Sequence, residues 1–521
     1  MQPDRHASNQ PPGGVRSRMK KNCSLAKLII VLCGALSLIA CAVKSPQTAA
    51  EIREQAGTLA DMPLAEGWKA GAVAASITDN WLAAFDDAQL NALVAEAMAN
   101  NTELRISATR VEQAAQYVEL AKAALRPAVI LFGTGGANMG GGDALQYISL
   151  GASWELDLWG RLRYGRAAYE ATHASAQADF EFGRQSLAAM LAKSWFTATE
   201  TWLQLQIAED MVAAAEELVS LADTRWRVGV GSEQDVALAR ASLGTFEDTV
   251  KQVQLAHAQS IRAVELLLGR YPGAELEARR DLPALPSSIP GGLPLQMLER
   301  RPDMVAAERR VAAAFNRVGE AKAARLPKLV LNANVADIQS DILALKEDFE
   351  NPTAGAGARL LVPIYQGGAL QTQVEIRTLE QKEAIAQYAS LALRALGDVE
   401  YALAASQTLA ERDQILQRTL AYNRRALALA QTSYRVGMTD LRTVQLQQLD
   451  LHSASLALLR VQSEQLAQRA NLYLALGGSF EDVPDQPDSE LTSQSSAFPP
   501  IARGSRQSPA AQPERDGHYS F

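Results

Sequence analysis

"QYISLGASWELDLW", residues 146–159, alternates on a period of two. Ile148, Leu150, Ala152, Trp154, Leu156 and Leu158 take every second place, and Ser149, Gly151, Ser153, Glu155 and Asp157 lie between them. Successive side chains of a strand point to opposite faces, so the stretch predicts a strand with one apolar and one polar face. A tilted strand of about 9–11 residues is long enough to cross a bilayer. The pattern therefore predicts that Ile148, Leu150, Trp154, Leu156 and Leu158 face lipid.

The alternation returns later in the chain. Moving 206 residues on from Ile148 reaches Ala354, Ala356, Ala358, Leu360, Val362 and Ile364, with Gly355, Gly357 and Arg359 between them. Upstream, "AKAALRP" (121–127) and "AKAARLP" (321–327) are nearly one phrase, and each runs into a short strand-like stretch, "AVILFGT" or "KLVLNANV". Each copy thus supplies a hairpin. Beyond the hairpins no proline occurs between Pro127 and Pro272 or between Pro363 and Pro484. Leu203, Ile207, Met211, Ala214, Leu218 and Leu221 step by three or four, which marks a helix face. After a break at "RWRVGVGSEQD" (225–235), Val236, Ala239, Leu243, Phe246, Val250, Val253 and His257 form a heptad seam. A shift of 208 gives the second seam, Val444 to Gln465, after the matching break "SYRVGMTDLRT" (433–443).

The whole domain is therefore duplicated, each copy reading as helix, β-hairpin, long helix, tight turn and returning helix. An arm of about 65 residues between Gly160 and Gly229 is roughly 100 Å long if helical throughout. The expected organisation is a first repeat over 81–269, a connector over 270–303 with six prolines, a second repeat over 304–479, and a polar tail over 480–521 expected to be disordered.

The N-terminus reads separately. Arg16, Arg18, Lys20, Lys21 and Lys27 precede the apolar run Leu28–Ala40, too short for a membrane helix and suited to a signal peptide over 1–40. Met19 offers a second start. Leu38-Ile39-Ala40-Cys41 resembles the lipobox of bacterial lipoproteins, so Cys41 is the expected lipidation site, heading a lipidated linker over 41–80. Alanine at 42 favours outer-membrane sorting by the same resemblance. Processing would remove Cys23 and Cys33 and leave no disulfide.

The net charge of −8 argues against nucleic acid as a partner. Histidines at 6, 173, 257, 452 and 518 have no metal-ligand spacing, and His257 sits on the seam. "GTGGANMGGG" (133–142) lacks the Lys-Ser/Thr ending of a phosphate loop and reads as a hairpin loop. No nucleophile–base arrangement stands out. The residues point to no cofactor, no metal and no enzyme.

Four strands cannot close a barrel, and an open sheet edge in lipid leaves backbone groups unsatisfied at several kcal/mol each. Association follows, and three copies would give twelve strands. Here the residues resemble a known family, the TolC-like outer-membrane factors, in their lipoprotein efflux-channel branch. The carriers are "SWELDLWGRLR" (153–163), "GLPLQMLERRPDMVAAERRVAAAFNRVGEAKAARLP" (292–327), "LVPIYQGGAL" (361–370), the paired "RVG" turns and "WLAAFDDAQLNALVAEAMANNTEL" (81–104).

The resemblance implies a mainly α fold with a small β part: a homotrimeric α-barrel tunnel plus a 12-stranded transmembrane β-barrel, four strands per chain. It implies a channel in the outer membrane, extending into the periplasm and passing drugs or metal ions received from an RND-type inner-membrane transporter through a periplasmic adaptor protein. Arg227, Val228, Gly229, Arg435, Val436 and Gly437 carry over as adaptor contacts. Asp235 carries over as a gate residue; its counterpart Thr443 departs from the family's acidic residue, which leaves nearby Asp440 as a substitute. The alternatives are the exit duct of a type I protein-secretion system, and a non-conducting structural lipoprotein that spans the periplasm.

Overall fold

The computed structural model describes residues 43–57, 67–71, 79–135, 146–287, 292, 294–339 and 352–481. The signal segment, Cys41, most of the glycine-rich loop and the tail beyond Glu481 lie outside the described residues.

A short helix α1 (Ala49–Gln55) lies inside the stretch expected as linker, started by a Thr48/Glu51 capping box. After a 3₁₀ turn (Trp81–Phe85) come α2 (Ala88–Asn100) and α3 (Thr102–Ala123), then strands β1 (Ala128–Thr134) and β2 (Gln146–Leu156). The arm α4 (Arg161–Arg227) follows and returns as α5 (Glu233–Leu268). The second half repeats the order: α6 (Pro294–Arg300), α7 (Pro302–Ala323), β3 (Lys328–Gln339), β4 (Thr353–Leu361), α8 (Ala369–Arg435) and α9 (Leu441–Ala475). The chain is thus mainly helical with few strands. Helices α4 and α8 each hold 67 residues, or about 100 Å.

The expected connector contains a helix. Pro294 opens α6 and Pro302 opens α7 from the first helical position, where a missing N–H leaves nothing unsatisfied. Pro127 and Pro327 act in the opposite sense. They hold the preceding residue out of helix, so α3 and α7 stop and extended strand begins.

The largest core lies where the short helices meet the middle of the arms. Trp81 stacks on Tyr473 at 5.6 Å, and Phe85 packs on Phe196 at 5.1 Å. Trp195 donates its indole N–H to Asp87 at 3.0 Å, while the same carboxylate caps α2. Glu265, 2% exposed, accepts the backbone N–H groups of Ala274, Glu275 and Leu276, which fixes the connector to the end of α5. A second, smaller core ties the far ends of the arms together through Leu218, Ala222, Val236, Ala430, Tyr434, Leu441 and Val444.

Candidate functional site

The four strands form one antiparallel sheet in the order β1-β2-β3-β4. Directly paired residues share a face, so the register sorts the side chains. Leu131, Leu150 and Val335 form one row, and Val129, Ala152, Ala333 and Ala356 form another. Trp154 joins Leu331 and Ala358, and Leu156 joins Leu329 and Leu360. In these rows one face is apolar across the strands, and Leu150 and Trp154 on it are 50% and 38% exposed; Ile148, 61% exposed, lies on the same face but stands opposite Asp337, where the apolar band ends. The opposite face carries Ser153 with Asn332 and Gly357, Gly151 with Asn334 and Gly355, and Glu155 with Val330 and Arg359. That face is not uniformly polar: Ile130 pairs with Gly151 and Phe132 with Ser149, and Ser149 is buried beside Phe132 and Tyr147.

Leu158 does not belong to the strand. β2 ends at Leu156, and the Leu158 N–H bonds back to the Leu156 carbonyl at 2.8 Å. The cause lies in Asp157. Its carboxylate accepts the N–H groups of Leu162 and Arg163 at 3.0 Å each, filling the role that Gly160, at the cap position, has no side chain to play. Glu155 pairs with Arg161 at 2.9 Å across the same junction. Two indoles fasten the sheet to the incoming segments: Trp154 donates to the Leu125 carbonyl and Trp159 to that of Pro327. The repeated phrase before each strand thus supplies an anchor point as well as a helix stop.

At the other end of the arms stand the two turns. Gly229 and Gly437 have φ of +75° and +78°, a left-handed conformation that a side chain disfavours, and each lets the chain reverse directly after its helix. Around them Val228, Val230, Val436 and Met438 are 63–82% exposed. Such a cluster of exposed large apolar side chains differs from apolar residues scattered singly over a surface. Arg227 pairs with Asp223, while Arg435 projects from the second turn into solvent.

The two turns are locked together by a residue that sequence reading missed. Arg225 donates to the carbonyl of Tyr434 at 3.1 Å and lies 4.8 Å over the Tyr434 ring. Its repeat counterpart is Ser433, so the duplication gave no signal for it.

Asp235 and Asp440 both line one groove between α5 and α9 at this end. Each also has a local task. Ser232 caps α5 and Asp235 closes the capping box; Asp440 caps α9 and accepts from the N–H and hydroxyl of Thr443. Ser232 corresponds to Asp440, and Asp235 to Thr443. The hydroxyl and the carboxylate have exchanged places: the N-cap side chain still accepts from the third residue's N–H, but the Thr443 hydroxyl donates to the Asp440 carboxylate instead of closing a capping box. The hydroxyl and amide of Thr443 hold the Asp440 carboxyl below its ordinary value.

Among the described residues no helix is long and apolar enough to cross a membrane, and no group of three or more His, Cys, Asp or Glu could hold a metal ion. His257 is half-buried at the seam, its Nδ1 3.1 Å from the Thr201 hydroxyl.

A family model described as outer membrane efflux protein matches residues 93–270 and 293–478. The chain is 29% identical over 457 residues to the probable efflux pump outer membrane protein TtgC of Pseudomonas putida, covering 83% of this chain and 93% of that one. It is 27% identical over 412 residues to the cation efflux system protein CusC of Escherichia coli, covering 77% and 88%. Its fold is similar to that of the outer-membrane channel OprN, with a TM-score of 0.72 at 26% identity over 84% of this chain and 99% of that one. The chain belongs to the outer membrane efflux protein family.

Proposed function

We propose that three copies of this chain close a twelve-stranded barrel in the outer membrane and continue it as a helical tunnel through the periplasm. Drugs or metal ions would enter from an RND-type inner-membrane transporter and a periplasmic adaptor, and leave to the exterior. The observation that carries this reading is the sheet. It carries an apolar band on one face from the Leu131–Leu150–Val335 row to the Leu156–Leu329–Leu360 row, and among the described residues its outer strands β1 and β4 pair with no further strand. In lipid those edges must be paired, and a ring of three sheets pairs them all without adding a segment.

In this reading Ile148, Leu150, Trp154 and Leu156 contact lipid, and the Ser153–Asn332–Gly357 face lines the lumen. Acyl chains on Cys41 add an anchor. Arg227, Val228, Gly229, Arg435, Val436 and Gly437 receive the adaptor, for which the exposed apolar tips supply a surface to bury. Asp235 and Asp440, three copies each, put carboxylates at the tunnel entrance, where they favour cations. No step of this transport needs catalysis.

The test uses a strain lacking the chain, complemented with the native form or with Val228→Glu/Val436→Glu. Both valines are more than half exposed, so the charges cost little folding energy. The native form should lower accumulation of a panel of drugs and metal ions. The variant should reach the same outer-membrane level and fail to do so. Full efflux by the variant would remove the tips from the docking surface, and no efflux by the native form would overturn the transport reading.

A further inference from the structure

The junction between sheet and helices holds a second feature, one that the transport reading does not use. A groove of about 300 Å³ lies where the start of α4 meets the end of α7. Trp159, Tyr164, Phe315 and Val318 give it an apolar wall, and Lys44 and Lys322 also line it. We propose that this groove seats an anionic phospholipid, its phosphate between the Lys44 and Lys322 ammonium groups and an acyl chain against the aromatic wall. The proposal rests on the reading that the apolar sheet face lies in lipid.

Three observations support it. The first is position. All four strands join their helices at this end of the sheet, directly below the Leu156–Leu329–Leu360 row. That row is the last apolar one, so the groove opens at the level of lipid headgroups.

The second is the path of the chain. Val43 lies against Gly160, and the Lys44 N–H donates to the Tyr164 hydroxyl at 3.1 Å. Cys41 is two residues upstream, which spans at most about 7 Å. Acyl chains on Cys41, which the proposed function puts there, would enter the membrane within that reach of Val43, on the side of the groove.

The third is a contrast between the repeats. Lys122 in the first repeat is neutralised by Glu119 at 2.8 Å. In the second repeat Lys322 keeps the lysine, but Gly319 stands where Glu119 would be. A Cβ at Gly319 would come within 2.6 Å of the Tyr164 ring, so that ring occupies the space a carboxylate side chain would need. The substitution both builds the aromatic wall and frees the lysine. Neither Lys44 nor Lys322 makes an ion pair with a described residue. A helix-end preference for cations accounts for Lys322 alone. It does not account for Lys44, which comes from a different segment.

The experiment uses the full-length, lipidated assembly, stripped of loosely held lipid and titrated with phosphatidylglycerol or zwitterionic phosphatidylethanolamine, with binding read by native mass spectrometry. Each basic residue near an anionic surface contributes about 1 kcal/mol, or about fivefold in affinity. Lys44→Gln and Lys322→Gln should each weaken phosphatidylglycerol binding about fivefold, and the double variant about twenty-fivefold. Lys122→Gln should leave it unchanged. The proposal is overturned if the double variant binds like the native form, if both lipids bind equally well, or if inorganic phosphate at matched concentration displaces the lipid and so marks a simple anion site. Conductance of the same double variant separates the two claims: a conducting assembly with unaltered lipid binding refutes the groove and leaves the channel.

Discussion

Leu150→Arg is the substitution that most sharply tests which face of the sheet meets lipid. Leu150 is the fifth of the eleven residues of β2 and stands between Leu131 and Val335 across the ladder. It is 50% exposed, so an arginine there loses little packing within the chain. The cost comes from the solvent. An arginine on the lipid face near the bilayer midplane costs about 2–4 kcal/mol, and three copies in one barrel raise that to about 6–12 kcal/mol per assembly. Ser153→Arg is the control. Ser153 is exposed on the opposite face, opposite Ala128 and Asn332, and an arginine facing a wet lumen should cost less than about 1 kcal/mol. Ser149 is unsuitable because it is buried, and an arginine there would clash before it met water or lipid. The assay is urea unfolding of each variant refolded into phospholipid vesicles, together with the fraction of intact trimer on a non-denaturing gel. Leu150→Arg should lower both sharply while Ser153→Arg stays near the native form. Equal losses, or a larger loss for Ser153→Arg, would refute the assignment of faces.

Other perturbations address the tips and the anchor. Arg225→Ala removes one good charge-assisted hydrogen bond and a cation–π contact from a half-buried site, about 2 kcal/mol together. Hydrogen exchange of residues 430–440 should quicken roughly thirty-fold, and unchanged protection would show that Arg225 does not lock the turns. The Asp440 cap carries a pH dependence of defined sign. Its folded-state value lies below the ordinary carboxylate value of about 4, so its stabilisation is complete above that pH and fades as pH falls through the depressed value. The Thr443 amide should therefore lose protection only below about pH 4. A loss beginning above pH 5 that persists in Asp440→Asn would point to another group. Cys41→Ser should abolish labelling by radioactive palmitate, and label retained at the native level would remove Cys41 as the acylated residue.

The fold was legible wherever one physical rule acted along many residues in a row. Alternation in 146–156 gave the strand, and unbroken stretches without proline gave the arms to within a few residues. What stayed hidden depended on a single side chain reaching outside its own segment. Asp157 continued the polar phase of the strand, so its use as a surrogate cap for α4 left no periodic trace. Arg225 was masked because comparing repeats highlights what they share, and its partner position holds serine. Pro294 and Pro302 count among the six prolines of the expected connector, yet the same missing N–H that breaks a helix interior is harmless at its first residue. The gate candidates were legible as acids but not as caps, because Ser232/Asp235 and Asp440/Thr443 carry the same pair of groups in opposite order.

The central claim is that assembled copies of this chain enclose a path for ions and small solutes. Single-channel recording from the purified, lipidated protein in a planar bilayer tests it most directly. The account predicts discrete conductance steps with cation preference, which the removal of both tip carboxylates, Asp235→Asn with Asp440→Asn, should reduce. A protein that inserts as a stable trimer and never conducts, even with those carboxylates removed, would contradict it.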